Sequence, residues 1–222
     1  MAVTLKALEE RGARVDVVVA TGGASGVDDR DCDPPTAAAK AEMRMEEQRA
    51  SCRLFGLGQE RLRFLRLEED AAGHPVSGGG NAARIASALA EAVPDAVVLP
   101  HGNDTNAGHR RIYEMVRDAA DSWARESARS GAPRTLLALL NRDPKTIAMR
   151  EDVVVPYGDE RAAWKGSLLR CHATQQLRNQ RTRGRGFDER ILAMDRDTAR
   201  RHRLHEPYAE TFELETYGDL RR

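Results

Sequence analysis

This chain has no excess charge of either sign: 35 lysines and arginines face 35 aspartates and glutamates, a formal net charge of +0. Without a global field to draw it to nucleic acid or an anionic membrane, its expected partner is a small or neutral molecule. No apolar run approaches the roughly 20 residues of a membrane span. The opening MAVTLKALEERGARV also carries charges where a signal peptide is apolar. A cytoplasmic protein with no membrane span is therefore expected, with its oligomeric state left open. Cysteine is scarce, at three residues. Cys32, Cys52 and Cys171 are odd in number and lack Cys-x-x-Cys spacing, which argues against a disulfide framework or a zinc knuckle and for reduced thiols. No Gly-x-Gly-x-x-Gly follows a strand, and Ser77-Gly78-Gly79-Gly80 lacks the Lys and Ser/Thr of a phosphate loop, so nucleotide binding has little support. No internal repeat or long low-complexity tract is present.

A chain of 222 residues can bury one sizeable core and still carry an appended segment. Residues 3–11 read as a helix stopped by Gly12, and Val15 to Ala20 as a short buried strand. The acidic VDDRDCDPP reads as irregular surface structure. From Thr36 a long helix is expected, with Met43, Glu47, Ala50 and Leu54 at helical spacing and an end near Gly56 to Gly58. Glu47 lies on the apolar stripe, so its carboxylate must be paired or stand at the rim of a cleft. Leu62 to Leu67 is a second strand, SGGGN a flexible turn, Ala82 to Ala92 a helix, and Asp95 to Leu99 a third strand. Alternating strands and helices over the first 130 residues predict an α/β fold with a mostly parallel sheet and right-handed crossovers.

The stretch PDAVVLPHGNDTNAGHRRIYEMV, residues 94–116, is the most informative. A buried strand breaks at Pro100, passes through a polar loop with His101, Asn103, Asp104 and Asn106, and enters a helix whose first turn carries His109. Ligands collect at such junctions in open α/β sheets, where strands end and helix amides face outward. His109 lies three residues before Ile112 on the helix's apolar face. With a carboxylate and an amide one turn before it, it suits a divalent metal or an acyl-oxygen site. The alternative is that Asp104 or Thr105 caps the helix and His109 simply packs.

Beyond the polar linker ESARSGAPR the pattern changes. Leu136 to Leu140 and Val153 to Val155 read as strands, and Gly158, Asp159 and Glu160 announce a helix from about Arg161 to Gln180. Trp164, Leu168, His172 and Gln175 share one of its faces. The Arg-rich remainder is helical around Glu189 to Met194, and Arg178, Arg181, Arg183 and Arg185 read as a solvated basic segment rather than a phosphate site.

Several landmarks occur together over residues 3–213: GARVDVVVATGGASG, Arg44-x-x-Glu47 before ASCRLFGL, PDAVVLPHGNDTNAGHRR, and KGSLLRCHATQQLRN with GFDERIL and PYAETF. In order and spacing this set resembles the zinc-dependent de-N-acetylases related to N-acetylglucosaminyl-phosphatidylinositol deacetylase, the PIG-L or LmbE-like family. The resemblance implies a Rossmann-like, mostly parallel sheet with flanking helices over 1–130 and a C-terminal α+β extension over 131–222 that completes the cleft. It also implies a zinc ion and removal of an N-acetyl group from an amino sugar or sugar conjugate. Carried onto this sequence, His109 is a zinc ligand, and Asn106 stands where many members have an oxyanion-stabilising His. Asp104 and His172 join Asn106 as catalytic candidates, and Arg44, Glu47, His101 and Gln175 as substrate-binding ones. Thr174 belongs to the same His-x-Ser/Thr-Gln element. An amide donates a hydrogen bond but takes up no proton near neutral pH, so Asn106 cannot serve as an acid.

The sequence departs from the family in one respect. Members open with a strand ending in Ala-His-Pro-Asp-Asp-Glu, which supplies two of three zinc ligands and the general base, and no His-Pro-Asp-Asp occurs here. Asp28 and Asp29 echo the pair but read as loop charges. The expectation is an N-terminally truncated deacetylase core lacking its first strand, with weak zinc binding and little activity. Its sheet should show a gap or exposed strand edges, which favours instability, aggregation or filling by another chain. The alternative from a different class is a non-catalytic carbohydrate-binding or interaction module of the same fold.

Overall fold

The computed structural model describes residues 1–129 and 135–218. The expected boundary at 130/131 lies outside the described residues. By compactness the chain divides into one unit of Met1–Arg66 with Val155–Glu210 and a second of Leu67–Val154 with Thr211–Arg222.

The first unit opens on α1 (Ala2–Glu9) and β1 (Val17–Val19), followed by two short 3₁₀ turns in the acidic loop and α2 (Ala37–Phe55). Local chemistry sets both ends of α2. The Thr36 hydroxyl accepts the Ala39 N–H at 3.2 Å, and Gly56 takes a left-handed conformation at φ 100° that a side chain would disfavour. Strand β2 (Leu62–Phe64) pairs with β1 in parallel, Val17 opposite Leu62. The unit also holds α5 (Asp159–Arg170), α6 (Ala173–Arg183) and α7 (Phe187–Arg201). Val15, Cys52, Phe55, Leu57 and Leu168 form one buried cluster, and Val3, Tyr157, Ala162 and Tyr208 form another.

The second unit contains α3 (Gly79–Ala92), β3 (Ala96–Pro100), α4 (Ala107–Arg129) and β4 (Leu136–Asn141). Strands β5 (Val153–Tyr157) and β6 (Tyr208–Tyr217) complete a four-stranded sheet in the order β3-β4-β6-β5. β3 and β4 are parallel, Ala96 opposite Leu137 and Pro100 opposite Asn141, whereas β6 runs antiparallel to β4. Leu136, Ala138, Leu140 and Phe212 are almost fully buried at the centre of this sheet. The α/β class is as expected. The described strands fall into two sheets, and β1, β2 and β3 each have a strand neighbour on one side only among the described residues.

Three elements differ from the sequence reading. The glycines of SGGGN are not a turn: Gly79, Gly80 and Asn81 form the first turn of α3. The buried Asn81 amide accepts the Glu68 N–H at 2.9 Å and donates to the Glu68 and Val76 carbonyls, which secures the helix start. The single helix expected over 161–180 is two, because the backbone leaves helical geometry at His172. β6 was not anticipated as a strand, since Glu210, Glu213 and Glu215 make its sequence look polar. No described helix is long and apolar enough to cross a membrane.

Candidate functional site

In the second unit, the parallel register of β3 and β4 ends both strands level, at Pro100 and Asn141. The loops that follow therefore leave from one carboxyl edge, and they are joined by backbone pairing. Thr105 N donates to Lys145 O at 3.0 Å, Ile147 N donates to Asn103 O at 2.9 Å, and Asp104 bridges Thr146 antiparallel. The Asn103 amide adds a bond to Ala148 O at 2.9 Å.

Two residues organise the start of α4. Asn106 precedes its first residue, and the Asn106 Oδ1 accepts the Gly108 N–H at 2.9 Å, so Asn106 is the side-chain cap rather than Asp104 or Thr105. Asp104 is 1% exposed; its Oδ1 accepts the Asn106 N–H and its Oδ2 lies 2.9 Å from His109 Nδ1. An ionised carboxylate only accepts, so Nδ1 is the donor in this pair and Nε2 lies on the side of the ring away from that bond. His109 does not pack into the core: its side chain is 32% exposed. A carboxylate behind an imidazole is the usual way a protein fixes the tautomer of a metal-ligating histidine.

Asp143 joins this pair. One ligand atom each from Asp104, His109 and Asp143 lies within 4.8 Å of the others. A ring nitrogen with a carboxylate oxygen suits a divalent cation of hard to borderline character, and a second carboxylate, Asp104, stands against the same ring. Asp143 went unnoticed in the sequence. The signal was there, since NRDPKT follows an apolar strand just as HGNDTN does, and the strand-end argument applied to one loop applies equally to the other. His101 is 7% exposed; its Nδ1 accepts the Asn103 N–H at 2.9 Å, and its Nε2–H donates to Glu213 at 3.1 Å. Both nitrogens hold the loop in place, and a substrate contact through the ring requires one of these bonds to open.

The first unit assembles Arg44, Glu47, His172 and Gln175, together with Thr174. Glu47 is paired, as its place on the apolar stripe requires: Arg44 Nη1 donates to Oε2 at 2.8 Å. Its Oε1 accepts the Thr174 N–H at 2.6 Å and its Oε2 accepts the Thr174 hydroxyl at 2.8 Å. A carboxylate at this place satisfies one open amide of α6 and complements its dipole. This contact comes from a distant helix, and α6 begins at Ala173 with no glycine or proline between it and α5. Gln175 Nε2 donates to Gly26 O at 3.0 Å, tying the same helix to the loop after β1.

His172 Nδ1 is buried without a hydrogen-bond partner among the described residues. Burial, reinforced by the nearby Arg44 charge, pushes its pKa down to about 4, and Glu47 offsets only part of this. The ring is thus neutral at pH 7. In an unfolded chain it would take up a proton near 6.5, so the folded state loses stability as pH falls from about 6.5 to about 4 and no further below that. At about 1.4 kcal/mol per pH unit this contribution is about 3 kcal/mol. Urea unfolding at pH 7 and pH 4.5 should show a smaller acid loss for His172→Gln than for the parent; equal losses would remove His172 as the cause.

Several solved structures share the fold. One is N,N'-diacetylchitobiose deacetylase from Pyrococcus horikoshii, complexed with an inhibitor, at TM-score 0.73 and 16% identity, covering 97% of this chain and 78% of that one. Another is GalB, the 4-carboxy-2-hydroxymuconate hydratase from Pseudomonas putida, at TM-score 0.70 and 18% identity, covering 96% and 88%. A third is the zinc-inhibited form of teicoplanin deacetylase, at TM-score 0.62 and 16% identity, covering 99% and 94%. Deacetylases and a hydratase share this architecture, so the fold alone does not name the reaction. No curated protein matches this sequence. The family described as PIG-L, GlcNAc-PI de-N-acetylase, matches residues 1–120, more than half of the 222, and the chain belongs to that family.

Proposed function

We propose that this protein is a metal-dependent hydrolase that removes an N-acetyl group from an amino sugar or sugar conjugate, with zinc as its cation. Family membership supports the reaction class. The observation that carries the reading is His109, held by the buried Asp104 at the start of α4 with Nε2 left to bind. A divalent cation held there would polarise an acetamide carbonyl and lower the pKa of a water molecule.

The remaining roles belong to side chains of the chain itself. Asp104 fixes the imidazole tautomer and supplies negative charge behind it. Asn106 spends its Oδ1 on the Gly108 N–H, and its amide nitrogen remains to donate to an oxyanion. His172 is neutral and its Nδ1 has no hydrogen-bond partner among the described residues, which suits accepting a hydrogen bond from a substrate. Arg44 and Gln175 are the proposed substrate contacts, while Glu47 positions them by fixing the start of α6. None of these side chains is assigned as the general base, and turnover by residues 1–222 alone is expected to be slow. Cys32, Cys52 and Cys171 are free thiols, which supports the cytoplasmic part of this reading.

The test is acetate release from N-acetylglucosamine and N,N'-diacetylchitobiose by the zinc-loaded protein. Release above the protein-free rate, abolished by a chelator, is the expected result. Saturable sugar binding without acetate would replace the hydrolase with a carbohydrate-binding module.

A further inference from the structure

We propose that Asp143, on the turn after β4, is a direct ligand of the cation bound by His109. The second unit then holds a divalent metal through Asp143 and His109, with Asp104 behind the imidazole. The inference rests on the metal-dependent reading above and adds a ligand that the family's sequence landmarks do not supply.

Three observations carry it. The first is placement. Asp143 sits on a turn closed by its own N–H to the Thr146 hydroxyl at 3.0 Å and by the Thr146 N–H to its carbonyl at 2.9 Å. That turn is paired to the Asn103–Thr105 segment, so the carboxylate reaches Asp104 and His109 on a braced backbone. The second is what remains free. Asp143 Oδ1 accepts the Lys145 N–H at 2.8 Å, and no described residue donates to Oδ2. The third is charge. Among the described residues no lysine or arginine forms an ion pair with Asp143 or Asp104, although Asp104 has a fully buried side chain. Arg142 pairs with Glu151 at 2.6 Å, and Arg110 donates to the Asp104 backbone carbonyl at 2.6 Å rather than to its carboxylate. The Asp143 carboxylate thus stands close to His109 and Asp104 with no cation of the chain paired to it, and a divalent ion would supply the missing positive charge.

The donor set also narrows the ion. Carboxylate oxygen with imidazole nitrogen, and no thiolate, favours manganese, iron, cobalt or zinc over copper(I) and over calcium, which wants an all-oxygen shell. The test is a manganese(II) titration of the chelator-stripped full chain, read by loss of the free-ion electron paramagnetic resonance signal. The parent should take up one ion. Asp143→Asn, which keeps an oxygen for the Lys145 N–H, should weaken uptake at least about 10-fold. Asp143→Ser keeps a shorter acceptor at the same turn and should do likewise. Asp118→Asn, which changes an exposed residue of α4 paired with Arg117, should bind as the parent does. Parent-like affinity in either folded Asp143 variant, or no uptake by the parent at roughly millimolar manganese, overturns the proposal. Metal uptake lost in the Asp143 variants while the loaded parent releases no acetate would leave the site standing and remove only the deacetylase reading. Acetate release with unchanged uptake in the variants would do the reverse.

Discussion

Replacing Lys165 with methionine should destabilise the chain by about 3–5 kcal/mol, the cost of removing one member of a buried ion network. The Lys165 side chain is 4% exposed, and its Nζ lies 2.5 Å from Asp195 and 2.6 Å from Glu210, themselves 3% and 1% exposed. Tyr157 donates its hydroxyl to the same Asp195 oxygen. Glu210 also accepts the Thr4 N–H at 2.9 Å and the Thr4 hydroxyl at 2.7 Å, so one carboxylate ties α1 to α5 through Lys165. Burial works against the ammonium, but Glu210 and Asp195 outweigh it, and the Lys165 pKa stands above its ordinary value. Truncation to methionine leaves both carboxylates buried without their shared cation. Urea unfolding at pH 7 measures the loss. Adding Glu210→Gln to Lys165→Met should cost less than the sum of the two single changes, because the Lys165–Glu210 interaction is then lost once rather than counted twice, although Glu210 also holds the Met1 ammonium at 2.7 Å. Strict additivity would mean that the two groups do not share an interaction.

His109→Gln is expected to lower acetate release at least about 100-fold, beyond the 10–100-fold typical of losing a group that merely orients a metal ligand. Glutamine can still donate to the buried Asp104 oxygen, which spares the chain the roughly 1–3 kcal/mol cost of an unsatisfied buried acceptor. The thermal midpoint of the metal-free protein should therefore stay close to that of the parent while manganese uptake disappears. Activity within a few-fold of the parent would remove His109 from the metal site and with it the proposed mechanism. Because Asp104 and Asp143 remain in this variant, it also separates loss of the nitrogen ligand from loss of charge.

The residues around β3 and α4 show what a linear reading reaches. The apolar run before Pro100, the polar loop and the His109 stripe lie within one stretch, and the structure finds a strand, a loop and a helix there. The limits of α2 were equally visible, since Thr36 and Gly56 act on amides and carbonyls within four residues of themselves. The expectation that Glu47 must be paired followed from its place on the apolar stripe, but its partner in α6 did not. That partner, Thr174, lies 127 residues away, at the start of α6. β6 was missed for a related reason. Glu210 and Glu213 look like surface residues until Lys165, Thr4, His101 and Arg150 arrive to satisfy them.

Helix stripes, caps, buried strands and the loop that delivers Asp104, Asn106 and His109 were legible in the order of side chains alone. These depend on interactions spanning a few residues, which any chain with this order of side chains presents. Only the tertiary structure decided that Asp143 stands beside His109, that Glu47 starts α6 and that Lys165 joins two buried acids. Each of those follows from backbone pairing or ion pairing between distant segments, and a charged side chain in the sequence carries no mark of which opposite charge will meet it once water is excluded.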